Sequence, residues 1–304
     1  MTQKTLAITG ATGFVGSHLI RLARAAGHPV RALTRRPQAP QPGLSWVAGA
    51  LDDAASLDQL IAGAEAVIHV AGVVNAPDRA GFVAGNVTGT QAMVAAAQRA
   101  GGVRFIHVSS LAARLPDLSI YGWSKAEAEA QVAASGLDWT MVRPPWVYGP
   151  GDMDTLDMFR MAKSRLMLVP PEGAVSLIHA EDLSRLLLAL VPSGAALGRI
   201  LEADDGRPQG WTNRSVAHAI AAAMGTRALV LACPRPVLRL GAQFDRLFRG
   251  TKAKLTEDRV SYFCHKDWRI DPAQRPDPAL WTPAIETQAG LRATAQSYRA
   301  AGLI

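Results

Sequence analysis

Two cysteines in 304 residues are too few for a disulfide framework. Cys233 and Cys264 lie far apart and in no metal-ligand spacing, which fits a reducing compartment and gives no reason to expect a metal. Long apolar runs are absent too. No stretch approaches the roughly 18 residues of a membrane-spanning helix. The opening "MTQKTLAITG" has one lysine and an apolar run too brief for a secretory signal core. A cytoplasmic location is therefore the expectation. Charge of one sign is not gathered anywhere. Lys and Arg number 32 against 25 Asp and Glu, a net +7, but the basic residues are scattered. No basic run of five or more and no recognition helix stands out, so no nucleic-acid partner is expected. A small polyanionic ligand is the more economical use of the excess.

What remains is an ordinary globular composition, 49% hydrophobic and 19% charged. The apolar residues fall into alternating short runs and helical patterns. "KTLAITG" (4–10), "HPVRALT" (28–34), "AEAVIHVAG" (64–72), "VRFIHVSS" (103–110) and "WTMVRPPWVYG" (139–149) read as strands, the last stopping at its double proline. "SHLIRLARAAG" (17–27) and "NVTGTQAMVAAAQRAG" (86–101) read as helices between them. Strands separated by helices require crossover connections. The fold class expected is α/β, a doubly wound parallel sheet of the Rossmann type. After residue 150 the alternation weakens. "HAEDLSRLLLALV" (179–191) and "GRILEAD" (198–204) look like a helix and strand that return to the sheet.

The turn "TGATGFVG" joins the first strand to the first helix and spaces Gly10, Gly13 and Gly16 three apart. Glycines here permit a tight turn, the approach of a pyrophosphate to the backbone and close helix–sheet packing. The helix N-terminus adds free N–H groups and partial positive charge. Thr12, Phe14 and Val15 belong to the same cradle. The second strand ends in "ALTRRP", with Arg35 and Arg36 where NAD sites usually carry an acid for the ribose hydroxyls. Two guanidiniums would clamp an added phosphate. The cofactor expected is NADP, with NAD the alternative, and a preference of tenfold or more, about 1.4 kcal/mol. The division expected is a dinucleotide-binding domain over 1–150, rejoined by 178–205. The remainder, 151–177 and 206–304, is expected to be a smaller, discontinuous, mostly helical substrate-binding domain.

"YGWSK" places Tyr121 and Lys125 four residues apart in a chain with only four tyrosines. On a helix this spacing puts both on one face. Taken alone the pair is weak evidence. With "TGATGFVG", "VIHVAG", "NVTGT", "VSS", "YGWSK", "RPPWVYGPGD" and "SLIHAEDL" in this order, the chain resembles the extended short-chain dehydrogenase/reductase family over nearly its whole length. This is also called the NAD-dependent epimerase/dehydratase superfamily. The resemblance implies an NAD(P)-dependent oxidoreductase. It implies catalytic roles for Ser110, Tyr121 and Lys125 and a structural or water-relay role for Asn86. It places Leu51 beside the adenine, Ala71 and Gly72 beside a cofactor ribose, and Pro144 near the nicotinamide.

A free phenol titrates near 10 and is a poor base at neutral pH. A neighbouring ammonium and the oxidised nicotinamide both favour the phenolate. Tyr121 would then move the proton, Ser110 would hold the substrate oxygen, and Lys125 would also bind ribose hydroxyls.

Departures from the family pattern narrow the reading. Ala50 stands where members often carry an adenine-contacting Asp, and Asp52 and Asp53 follow out of register. "SSLAA" lacks the acidic pair of the sugar dehydratases, and "AVSLIHAEDL" lacks the Arg-Asp pair common in sugar epimerases. Both absences favour a simple hydride transfer with a small, hydrophobic carbonyl or secondary alcohol. Trp123 and Trp146 could wall its pocket. An epimerase with tightly held cofactor and a non-catalytic nucleotide-binding assembly subunit are the alternatives. "LACPRPVLRLGAQFDRLFRG" (231–250) reads first as a lid or core helix, with peripheral membrane contact as the other option. The oligomeric state is open, a homodimer being one choice.

Overall fold

A computed structural model of the chain describes residues 5–250, 253 and 255–304. Lys4, first residue of the first expected strand, lies outside the described residues. The chain divides into two compact units. The first comprises Met1–Pro144, Leu183–Glu202 and Gln274–Trp281; the second comprises Pro145–Asp182, Ala203–Ala273 and Thr282–Ile304.

The first unit is built on a parallel sheet. Its strands are β1 (Leu6–Thr9), β2 (Val30–Thr34), β3 (Leu44–Ala48), β4 (Ala66–His69), β5 (Arg104–Val108) and β6 (Trp139–Val142), with a seventh, Arg199–Leu201, at the edge. Their spatial order is Arg199–Leu201, β6, β5, β4, β1, β2, β3, and every pairing is parallel. The switch point therefore lies between β1 and β4, where ligands of such sheets bind at the carboxyl ends of the strands. All residues of β1 and β4 are buried, as expected for strands covered on both faces. The strand at 199–201 returns to the sheet as the sequence pattern indicates, pairing with β6.

Helices fill the crossovers: α1 (Phe14–Ala25), α2 (Ala54–Ile61), α3 (Arg79–Phe82), α4 (Gly89–Arg99) and α5 (Ile120–Ala133). Leu57, Leu60 and Ile61 of α2 and Met93, Ala96 and Ala97 of α4 pack with Val67 and Phe105 of the sheet in one buried cluster. Helix α1 starts three residues before the expected Ser17, so Phe14, Val15 and Gly16 form its first turn. Between α3 and α4 the chain makes a π-helical turn, Val83–Thr88, rather than the plain helix expected there. Such turns are rare and gather at functional sites.

The second unit contains two-stranded parallel pairs, Trp146–Tyr148 with Leu177–His179 and Leu166–Val169 with Leu229–Ala232. It also has a small three-stranded sheet and the helices Leu156–Lys163, Asn213–Met224, Arg235–Arg249, Glu257–Phe263 and Thr287–Ala300. The helix Arg235–Arg249 corrects one expectation. It is not a core helix, because Val237, Leu240, Phe244, Leu247 and Phe248 along it are each more than half exposed.

Candidate active site

The glycine turn follows β1 directly. Gly10 has φ +69°, and a Cβ on it would stand 2.6 Å from the Ala71 nitrogen. A Cβ on Gly16 would overlap the Gly10 carbonyl oxygen. Neither position has room for a side chain, and the Gly13 N–H closes the turn on the Gly10 carbonyl at 3.0 Å. Gly13 is also the N-cap of α1, whose first turn has no side-chain cap. Thr12 and Gly13 are exposed, Phe14 and Val15 half-buried. Uncapped N–H groups at the head of a long helix, behind a backbone with no side chains in the way, suit a pyrophosphate.

Neighbouring strands add the flanks of this cradle. Arg35 and Arg36 are exposed immediately past β2. The Thr34 hydroxyl donates to the Arg36 carbonyl at 2.7 Å and fixes the backbone between them. Leu51 is half-buried past β3, and its side chain fills the space beside Gly89 of α4. Asp53 is used as the N-cap of α2, accepting from Ser56 N–H at 3.3 Å, so it takes no part in replacing the acid missing at Ala50. These residues stand on the β2–β3 side of the glycines, separate from the cluster described next.

That cluster lies past the ends of β4 and β5. The Thr9 hydroxyl pairs with His69 Nδ1 at 2.7 Å and accepts from the Ala71 N–H at 3.2 Å, so β1 sets the backbone of the Ala71–Gly72 turn. Asn86, in the π-helical turn, accepts from Val73 N–H at 2.7 Å and donates to the Val73 carbonyl and the Ser124 hydroxyl, each at 2.9 Å. Ser124 donates in turn to the Tyr121 carbonyl at 2.8 Å. The extra residue of the π turn lets Asn86 serve both the Gly72–Val73 backbone and helix α5. Gly72 has no room for a side chain: a Cβ on it would meet Asn86 Oδ1 at 2.9 Å, with Lys125 Nζ at 3.7 Å.

Helix α5 carries Tyr121 and Lys125 one turn apart. It begins at Ser119, whose hydroxyl accepts from Gly122 N–H at 3.0 Å. Tyr121 is half-buried with its ring 6.2 Å from that of Phe82. Lys125 is 5% exposed, and its Nζ donates to the Val108 carbonyl at the end of β5 at 2.8 Å. Burial lowers its pKa to about 8, against the opposing pull of Glu129 one turn further along. Below it His69 and His107 stack at 5.5 Å, both fully buried. Burial first, and the Lys125 charge second, push His69 down to about 3 and hold His107 well below its ordinary value. Both imidazoles are neutral at physiological pH, so the buried ammonium has no charged histidine beside it.

Ser110 is buried past β5, and its hydroxyl accepts from Ala112 N–H at 3.2 Å to cap a short 3-10 turn. The buried Pro144 past β6 accepts from Leu111 N–H at 3.1 Å, which ties the Ser110 segment to the end of β6. Trp123 is half-buried under the Arg79 guanidinium, 3.7 Å from the ring centre. Ser124, Thr9 and His69 were not singled out in the sequence as site-building residues. Ser124 lies inside "YGWSK", and its role becomes visible only when Asn86 is brought against it.

A family model described as NAD(P)H-binding matches residues 10–162. A ceramide reductase of Caulobacter vibrioides is 37% identical over 310 aligned residues, covering 98% of this chain and 95% of that protein. The chain belongs to the extended short-chain dehydrogenase/reductase family. It is similar as well to a 2-alkyl-3-oxoalkanoate reductase of Stenotrophomonas maltophilia, 28% identical over 94% of this chain and 96% of that one. The solved structure of MoeE5 with UDP-glucuronic acid and NAD overlays with a TM-score of 0.74 at 22% identity, covering 98% of this chain and 99% of that chain, and shows the shared fold. As a member of the family the protein is an NAD(P)-dependent enzyme, and the glycine cradle fits that dinucleotide. Among the described residues no helix is long and apolar enough to cross a membrane.

Proposed function

We propose that the protein reduces a ketone carried by a ceramide-class lipid to the secondary alcohol, with NADPH as the preferred donor. The bound nicotinamide would supply the hydride. Tyr121 gives its phenolic proton to the carbonyl oxygen as that oxygen gains charge, and Ser110 holds the same oxygen by a hydrogen bond. Lys125 holds ribose hydroxyls and favours the phenolate left behind, which regains its proton from solvent. Asn86 and Ser124 keep α5 in register with the Gly72 turn. The second unit is assigned the substrate-binding role. The observation that carries the reading is Lys125. A buried ammonium stands one helical turn after Tyr121, donates to the Val108 carbonyl at the end of β5 and lies beside Gly72, where a cofactor ribose would come. The lipid class rests on the near full-length similarity to the ceramide reductase.

The test is purified protein with NADPH and a ceramide-class ketone in detergent. NADPH should disappear mole for mole with alcohol formed. Inversion at a carbinol centre without net NADPH change would mean an epimerase, and no turnover of either kind would refute the proposal.

Arg35 and Arg36 are the basis of the cofactor preference. Replacing both with alanine should weaken NADPH binding tenfold or more while leaving NADH within about twofold. Fluorescence titration reads both, and equal affinity of the unaltered protein for the two cofactors would sink the idea.

Lys125 predicts a pH dependence. Its folded value, about 8, lies below the roughly 10.4 of an exposed lysine. Between those two values the unfolded chain binds more protons than the folded one. Stability of the unliganded protein should therefore rise with pH across that window. Cofactor affinity should run the other way. It should be level below pH about 7 and weaken by up to tenfold per pH unit above about 8, as the ammonium donor is lost. Lys125→Met should remove this contribution to the pH dependence of both melting and binding.

A further inference from the structure

The helix Arg235–Arg249 leaves open an apolar stripe that the proposed chemistry does not use. Val237, Leu240, Phe244, Leu247 and Phe248 are between 52% and 81% exposed. At about 100° per residue these five positions fall within an arc of roughly 100°. The inward side of the helix is different. Ala242 is buried there, Arg235 donates to the Ser261 hydroxyl at 3.2 Å, and Arg239 lies 3.6 Å from Glu257, both partners being on the helix Glu257–Phe263. The stripe therefore faces away from the element that holds the helix.

A second open apolar face immediately precedes it in the chain. Leu166 pairs with Leu229 and Leu168 with Leu231 across the two parallel strands, and all four are exposed, whereas Met167, Val169 and Val230 on the other face are buried. Strand Leu229–Ala232 runs into the helix through Cys233 and Pro234. A monomer in water rarely leaves two such faces uncovered.

Charge decides what covers them. Over 235–249 the sequence carries four arginines and one aspartate, 4 − 1 = +3, within a chain of net +7. Arg235, Arg239 and Arg249 fall on the arc opposite the stripe. Phenylalanine and leucine on one side and arginine on the other is the make-up of a helix that lies in the plane of a bilayer. Its apolar side would enter the acyl boundary, and the net positive charge of the helix would draw it to anionic headgroups.

We propose that the helix Arg235–Arg249, with the leucine face leading into it, docks the protein on an anionic lipid bilayer as an interfacial helix. The inference stands on the helix whatever the substrate, although a bilayer-borne ketone would gain from it.

The experiment is flotation of the full chain with vesicles of phosphatidylcholine alone or mixed with phosphatidylglycerol. The unaltered protein should float with the anionic vesicles, less so at high salt, and stay in the dense fraction with the zwitterionic ones. The triple variant Phe244→Glu, Leu247→Glu, Phe248→Glu should lose at least tenfold in the floated fraction. Its thermal melt and NADPH binding should match the parent, because all three side chains are exposed. Failure of the parent to float, or equal flotation of the variant, overturns the proposal. So does light scattering that finds the parent dimeric and the variant monomeric, since the stripe would then be a contact between copies. Flotation needs no turnover, so these outcomes are independent of the reductase assignment.

Discussion

Tyr121→Phe should lower kcat by about a hundred- to ten-thousand-fold while leaving the cofactor dissociation constant nearly unchanged. The substitution removes one oxygen and little else. Phenylalanine keeps the ring beside Phe82, and the bonds that fix this part of α5 run through the Tyr121 carbonyl and the Ser124 hydroxyl. The Lys125 bond to the Val108 carbonyl is likewise untouched. Fold and dinucleotide binding should therefore survive, and the loss should fall on the proton-transfer step alone. Ser110→Ala should cost less, because it removes a hydrogen bond to the substrate oxygen and leaves the proton donor in place. Single-turnover kinetics with pre-bound NADPH, beside a titration of NADPH itself, separates the two quantities. Near-normal turnover of Tyr121→Phe would overturn the assignment of acid/base function to this side chain.

Arg143→Met should have the largest effect on stability, about 3–5 kcal/mol. Arg143 sits between β6 and Pro144 and makes two bonds to Glu129 of α5, at 2.8 and 2.6 Å. It also stands 3.7 Å from Glu202, which is fully buried and receives Arg114 at 3.3 Å. Methionine would fill much of the volume but would leave two buried carboxylates against one remaining guanidinium. Such a charge either stays unpaired or takes up a proton, and both routes cost stability. The loss should shrink as pH falls, when the carboxylates can protonate, and Glu129→Gln in the same chain should restore part of it. Urea denaturation of the three proteins is the measurement. A change under about 1 kcal/mol would place this cluster with exposed ion pairs that contribute little. Because Glu129 follows Lys125 by one turn of α5, the cluster also anchors the helix that carries the proposed proton donor.

The strands that position the site were readable because they are buried on both faces. "KTLAITG" and "AEAVIHVAG" are continuous apolar runs stopped by glycine, the mark of a central parallel strand. Strand β3 carries no such mark. Leu44 and Val47 are buried but Ser45 and Ala48 are exposed, and the lead-in "RRPQAPQPG" suggests only loop, so an edge strand left no clear pattern. Helix α2 is only eight residues long, about two turns, too short for its apolar spacing to stand out from the flanking loops. The sequence pattern marks a helix only from Ser17, because Phe14, Val15 and Gly16 continue the glycine-spaced turn. They are instead its first helical turn, with Gly13 as cap.

Motif spacing brought Tyr121 and Lys125 together, since four residues of helix suffice. It could not show that Asn86 reaches Ser124 across 38 residues, because that depends on the π-helical insertion. Nor does composition separate an inward from an outward apolar face on Arg235–Arg249. The pattern is identical either way, and only the packing of its neighbours shows that the phenylalanines point out.

The seventh strand has a consequence for synthesis. Arg199–Leu201 covers the free side of β6, yet it is translated more than fifty residues after β6 is complete. A nascent chain that has folded its glycine cradle and helix α5 still carries a bare, apolar strand edge, open to pairing with any extended segment nearby. The N-terminal half is thus not self-sufficient on the ribosome. Its sheet is completed only by Arg199–Leu201, a strand that follows residues 145–182 of the second unit in the chain.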